Sequence, residues 1–151
     1  SQFLHGGFIH IISNMLFLWI FGDNVEERLG FFLFPIFYLL SGAAGGLVQY
    51  FFIPDSQIPM LGASGAIAGV LGAYFALFGQ HTVKTLIPVF GFFTIMDVPA
   101  SIMLFYWFFT QLFAGAATIS LATSGMGGIA FFAHAGGFAF GWLVGGLFKK
   151  G

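Results

Sequence analysis

Ser64 lies in the run Gly62-Ala63-Ser64-Gly65, which continues into the small residues Ala66, Ala68, Gly69, Gly72 and Ala73. One hydroxyl is thereby set at the first turn of an apolar helix, with almost nothing bulky around it. Two physical reasons produce such a pattern. Gly, Ala and Ser let membrane helices approach closely, and a hydroxyl in cleared surroundings is able to attack a carbonyl. The Gly-Ser pattern alone does not choose between them, so the other polar residues in apolar surroundings have to. His10 and Asn14 are four apart and share one helix face. His134 stands near the start of the last apolar stretch, with Gly137, Gly141 and Gly145 forming a stripe beneath it. Each polar side chain in hydrocarbon is costly and needs a partner or a purpose.

A serine nucleophile needs a base within hydrogen-bond reach, and neutral histidine is suited to that task. His134 is the candidate, because facing small-residue stripes would let its helix approach that of Ser64. A developing oxyanion needs donors aimed at it. The backbone at Ala63 and Ser64 is at a helix N-terminus, where N–H groups lack intrahelical partners. The side chains of His10 and Asn14 complete the candidate oxyanion and substrate-binding set. No acidic residue falls at this depth, since Asp97 belongs to the opposite side and Asp55 to an outer loop. The chemistry expected is therefore a Ser–His dyad without a carboxylate. A zinc triad of His5, His10 and His134 would leave the serine unexplained, so no metal and no cofactor is expected. Trp107, Thr110 and Gln111 either line the cavity or pack, and the sequence leaves that open.

The elements that must position these groups are membrane spans. Hydrophobic residues make up 59% of the 151 and charged residues 6%, against about 25% charged in soluble domains. Apolar runs recur to the end of the chain and are long enough to cross a bilayer at roughly 17–25 residues each. Five spans are expected in one all-α domain over 1–151: from about Phe8 to Gly22, Phe31 to Ile53, Ala63 to Phe78, Ala100 to Ile119 and Ile129 to Phe148. Polar residues Asp23–Arg28 read as the first loop, and Leu86–Met96 as an interfacial or loop-like segment. Pro35 falls in a first turn, where its missing N–H costs little. There is no cysteine, which excludes disulfides and thiolate chemistry. Net charge −1 with four Lys and Arg leaves no basic surface for nucleic acid. The opening Ser1-Gln2-Phe3-Leu4-His5, without an initiator Met, reads as part of a longer protein.

Charge distribution orients the bundle. With five alternating spans, Arg28, Lys84, Lys149 and Lys150 share one side and the other has no Lys or Arg. Positive residues favour the cytoplasmic face, which puts the start of the chain outside and its end inside. At 1.5 Å rise per residue, Ser64 and His134 each sit about 21 Å above the inner end of their spans, and His10 about 18 Å above Gly22. In a core of roughly 30 Å, all three lie some 10 Å below the outer surface. A common depth points to one shared cavity open to water from outside.

Four motifs together resemble the rhomboid intramembrane serine proteases: His5-Gly-Gly-Phe-Ile-His10-Ile-Ile-Ser-Asn14, Glu26-Glu27-Arg28-Leu29-Gly30, Gly62-Ala63-Ser64-Gly65, and Ala133-His134-Ala135-Gly136-Gly137-Phe-Ala-Phe-Gly141. Their order, spacing and placement agree over nearly the whole chain. The resemblance implies Ser64 as nucleophile and His134 as general base, with His10, Asn14 and the Ser64 backbone as oxyanion site. It places Gly137 and Gly141 where the last helix packs on the serine helix, and the small-residue spacing adds Gly65 to that packing. It implies cleavage of transmembrane segments of other membrane proteins near their outer ends, without metal or cofactor. The expected setting is a bacterial or archaeal plasma membrane with the site toward the outer face. Two departures stand out. The family core has six spans, and this chain matches spans two to six. Some members carry an aromatic four residues after the nucleophile, stacked on the catalytic His; here that position is Ala68, so the His134 ring must be held otherwise. The glycine-rich loop Ser120–Gly128 is expected to be a mobile cap beside the site. The alternative reading is a non-catalytic rhomboid-like protein that binds membrane-protein clients. A transporter or channel would place its polar groups near the midplane rather than toward one face.

Overall fold

A computed structural model describes the chain except for residues 1, 56–58, 90, 123–129, 150 and 151 and the side chains of 118–122. Helices α1 (Phe8–Leu29), α2 (Leu33–Phe52) and α3 (Ser64–Phe78) are followed by strands β1 (Thr82–Val89) and β2 (Phe92–Pro99), then helices α4 (Ala100–Ala122) and α5 (Phe131–Leu147). The stretch 120–128, expected as a capping loop, begins as the end of α4 at 120–122 and otherwise lies outside the described residues.

Helix α3 is the axis of the molecule. Ten of its fifteen residues are buried, which makes it the one helix enclosed on most sides. Helix α5 packs on it most extensively, then on α2, while α1 and α4 cover its flanks. The α3–α5 contact is backbone on backbone. A Cβ at Gly137 would fall 2.0 Å from the Gly65 carbonyl oxygen, and one at Gly145 2.7 Å from the Ala73 Cα. Two rows at i, i+4 spacing, Gly65-Gly69-Ala73 and Gly137-Gly141-Gly145, therefore meet in register. Small residues allow the backbones this approach. Helix α2 joins them, since a Cβ at Gly45 would lie 2.4 Å from the Ala133 carbonyl. Its Ser41 is fully buried and bonds back to the Phe37 carbonyl at 2.8 Å.

Among the described residues, three helices are long and apolar enough to cross a membrane: Phe8–Leu29, Leu33–Phe52 and Ala100–Ala117. The other two, α3 and α5, have 15 and 17 residues and span about 22 and 26 Å at 1.5 Å per residue. The two short helices are the ones carrying Ser64 and His134, so their N-terminal ends stop at the level of the site.

Two expectations need correction. The polar stretch Asp23–Arg28 is not a loop but the last turns of α1. Phe21, Val25 and Leu29, spaced by four, are all buried, and this apolar stripe holds the helix together past Gly22. The helix stops at Gly30, with φ 92, whose N–H bonds the Glu26 carbonyl at 2.6 Å. A helix reaching Leu29 also removes Gly22 as the inner end from which the depth of His10 was reckoned. Arg28 donates from Nε to the Phe148 carbonyl at 2.9 Å, so the C-terminal ends of α1 and α5 lie together.

The second correction concerns Leu86–Met96, expected as an interfacial or loop-like segment, whose described residues are strand on either side of a turn at Gly91. It forms most of an antiparallel hairpin pairing Thr82 with Pro99 through Val89 with Phe92. Thr, Val, Ile and Phe favour extended backbone, and Gly91 supplies the positive φ, 87, that the tight turn requires. Lys84 faces Asp97 across the ladder at 3.7 Å, both well exposed, and such a pair contributes little.

Candidate active site

Ser64 is the first residue of α3, with Ala63 as N-cap. No side chain caps this end, so the first N–H groups of α3 lack the partner a capping residue would give them. His134 sits in the first turn of α5, and its position depends on two anchors outside that helix. The Ala133 N–H donates to Gln49 Oε1 of α2 at 3.2 Å, and the glycine rows hold α5 against α3. With both helices locked in this way, Ser64 Oγ lies 2.8 Å from His134 Nε2. The pair was expected from sequence, and the fold brings it together across 70 positions.

The other ring nitrogen is also engaged. His134 Nδ1 lies 2.8 Å from Gln111 Oε1 of α4, and the Trp107 and Phe131 rings stand 6.0 and 6.4 Å from the imidazole, centroid to centroid. Gln111 is one of three α4 residues whose role the sequence leaves open, and it is the one in contact with the imidazole nitrogen. The partners of His134 therefore come from α3 and α4.

His10 and Asn14, on α1, converge on the turn just before Ser64. Gly62 has φ 115, and a Cβ there would fall 2.7 Å from His10 Cε1 and 3.6 Å from Asn14 Nδ2. The left-handed backbone and the cleared space both require glycine, a role not assigned to Gly62 from sequence. Asn14 is buried at 7% exposure, and its Nδ2 has no hydrogen-bond partner among the described residues. His5 packs edge-on against His10 with ring centroids 5.2 Å apart, and its buried Nε2 is likewise unpartnered. A buried donor left open, as at Asn14 Nδ2, is rare and calls for an explanation. An acceptor oxygen bound beside Asn14 would satisfy it.

Of the packing glycines, Gly137 and Gly141 are indispensable to the approach. Gly65 is not equivalent, because a Cβ there would meet Ala133 at 3.6 Å, an ordinary contact. The carbonyl of Gly65, rather than its missing side chain, receives Gly137.

Fold and site together define an integral membrane protein: an apolar helix bundle whose interior holds a serine hydroxyl bonded to histidine. The Rhomboid domain model matches residues 1–151, and the chain belongs to the Rhomboid family. Among its relatives, RHOMBOID-like protein 4 of Arabidopsis thaliana is 32% identical over 145 residues, 95% of this chain and 32% of that protein. Rhomboid protein 1, mitochondrial, of Saccharomyces cerevisiae is 40% identical over 82 residues, 52% of this chain and 24% of that protein. Rhomboid protease GluP of Bacillus subtilis is 43% identical over 70 residues, 46% of this chain and 13% of that protein. The chain thus spans a third or less of the length of these relatives. No solved structure gives a significant match.

Proposed function

We propose that the protein is a serine endopeptidase that hydrolyses peptide bonds in or near transmembrane segments of other membrane proteins. The observation that supports it best is the 2.8 Å bond from Ser64 Oγ to His134 Nε2 at the N-terminus of α3. Ser64 Oγ attacks the scissile carbonyl carbon while its proton passes to His134 Nε2. The carbonyl oxygen takes the negative charge, facing the Ser64 N–H, the backbone at Ala63 and the side chains of His10 and Asn14. Collapse breaks the C–N bond, and the departing amine takes the proton from His134. A water molecule, deprotonated by the same nitrogen, then hydrolyses the acyl-serine and frees Ser64.

The substrate is a transmembrane segment whose end unwinds, because a peptide bond within a stable helix is sterically shielded. Water must enter from the outer side, and the charge distribution of the chain supports placing the site there. In the same proposal, the protein resides in a bacterial or archaeal plasma membrane, in keeping with its similarity to a bacterial rhomboid protease.

The test is labelling of the detergent-solubilised, full-length protein by a fluorophosphonate probe, beside Ser64→Ala and His134→Ala. Labelling present in the parent and lost in both variants is expected. A folded parent that stays unlabelled overturns the protease reading in favour of a non-catalytic client-binding protein.

A further inference from the structure

We propose that Gln111 is a positioning residue that fixes the tautomer of His134, an inference that rests on the protease reading for its catalytic consequence. A chain of hydrogen bonds on α4 leads to the imidazole. Thr110 Oγ1 lies 2.6 Å from the Trp107 carbonyl oxygen. A carbonyl only accepts, so the hydroxyl gives its one proton there and turns its lone pairs outward. Gln111 Nε2 donates to that hydroxyl over a longer 3.4 Å. This orientation turns the amide oxygen of Gln111 toward His134 Nδ1 at 2.8 Å. The opposite amide orientation would set two acceptors face to face at Thr110.

An amide oxygen also only accepts, so His134 Nδ1 carries the proton. A neutral imidazole with its proton on Nδ1 has its lone pair on Nε2. That lone pair meets the Ser64 hydroxyl at 2.8 Å, as a base must. The other tautomer would donate to Ser64 Oγ and be unable to take its proton. A polarity set at the backbone of Trp107 thus passes through Thr110 and Gln111 to the reacting pair. Gln111 fills the place of a third, orienting group in serine hydrolases, but as a neutral amide within a chain that has no carboxylate at this depth.

The experiment combines 15N NMR of the His134 imidazole, assigned against His134→Ala, with turnover of a transmembrane substrate, both on the full-length protein in detergent. The parent is expected to show the Nδ1–H tautomer. Gln111→Leu should show a mixture of tautomers and lower kcat about ten- to a hundredfold at near-constant KM, short of the ~10⁴ lost when a triad partner enforces the wrong tautomer. Gln111→Glu, which keeps an acceptor, should retain the Nδ1–H form. Thr110→Val should shift the tautomer ratio in the same direction as Gln111→Leu. A folded Gln111→Leu with unchanged tautomer and kcat overturns the proposal, as does an Nε2–H parent. Should Gln111→Leu fail to fold, an unchanged tautomer ratio in Thr110→Val overturns it equally. The NMR measurement is independent of turnover. If the parent proves inactive while Gln111→Leu loses the Nδ1–H form, the positioning role stands and the protease reading falls.

Discussion

Gly141 of α5 rests on the Gly69 carbonyl of α3 so closely that a Cβ would fall 1.8 Å from the oxygen. Main-chain atoms therefore set the spacing of the two helices that carry Ser64 and His134. Substitution here should act on the distance between the reacting groups as well as on stability. Gly141→Ala is expected to destabilise by at least the ~1–3 kcal/mol typical of overpacking and to abolish fluorophosphonate labelling. Gly65→Ala, whose Cβ would meet Ala133 at 3.6 Å, should keep most of both. Thermal unfolding in detergent, run beside labelling, checks the pair; equal losses would contradict the geometry.

Asn14 separates stability from activity. Its Nδ2 is buried without a partner among the described residues, and a buried donor left open costs about 1–3 kcal/mol. Asn14→Leu, of similar size and without that donor, should leave Tm unchanged or raised. If the amide serves the oxyanion, the same change should lower kcat by about 10²–10³, as loss of one such donor does elsewhere. A fall in Tm without a fall in kcat would assign Asn14 to packing instead.

Gly62 is constrained twice over, by its φ of 115 and by His10 Cε1 2.7 Å from where a Cβ would stand. Gly62→Ala should lower kcat at least tenfold, because the strain of about 1–2 kcal/mol for left-handed backbone is joined by displacement of His10. Turnover of a transmembrane substrate is the measurement. Wild-type turnover in a folded Gly62→Ala would remove the turn from the site.

Arg28 ties the end of α1 to the end of α5 by its 2.9 Å bond to the Phe148 carbonyl. Arg28→Ala should cost about 1–2 kcal/mol, toward the low end for hydrogen bonds from charged groups since the contact is only partly buried. Arg28→Lys should recover only part of it, because a compact ammonium does not reproduce the guanidinium's geometry. Labelling should survive in both, as the contact lies at the opposite end of α5 from His134. Chemical denaturation of the three proteins decides the ranking.

How far the sequence reaches depends on which interactions are local. The glycine stripes were legible from helical periodicity, and the Ser64–His134 pairing from the common depth of the two residues together with the family resemblance. The polar end of α1 was misread, because charged residues after Gly22 outweighed the buried stripe Phe21-Val25-Leu29 that continues through them. The hairpin was missed because its strands are as apolar as the spans, and Gly91 looked like one more glycine. Gln111 was seen but not assigned. Nothing in its own surroundings of Thr110 and Leu112 announces that α4 presents it to a histidine 23 positions later. The absence of an aromatic at Ala68 showed that another support for His134 was needed, but only tertiary packing could say where it stood.

The 70 positions between Ser64 and His134 also set an order of events during synthesis. A chain inserted from its N-terminus places the serine, with its cleared surroundings, in the bilayer well before the base exists. Until α5 arrives, the hydroxyl has neither its hydrogen-bond partner His134 nor the helix that packs on α3. Under the proposed mechanism, a nascent chain would have no base with which to attack neighbouring spans until its last helix docks.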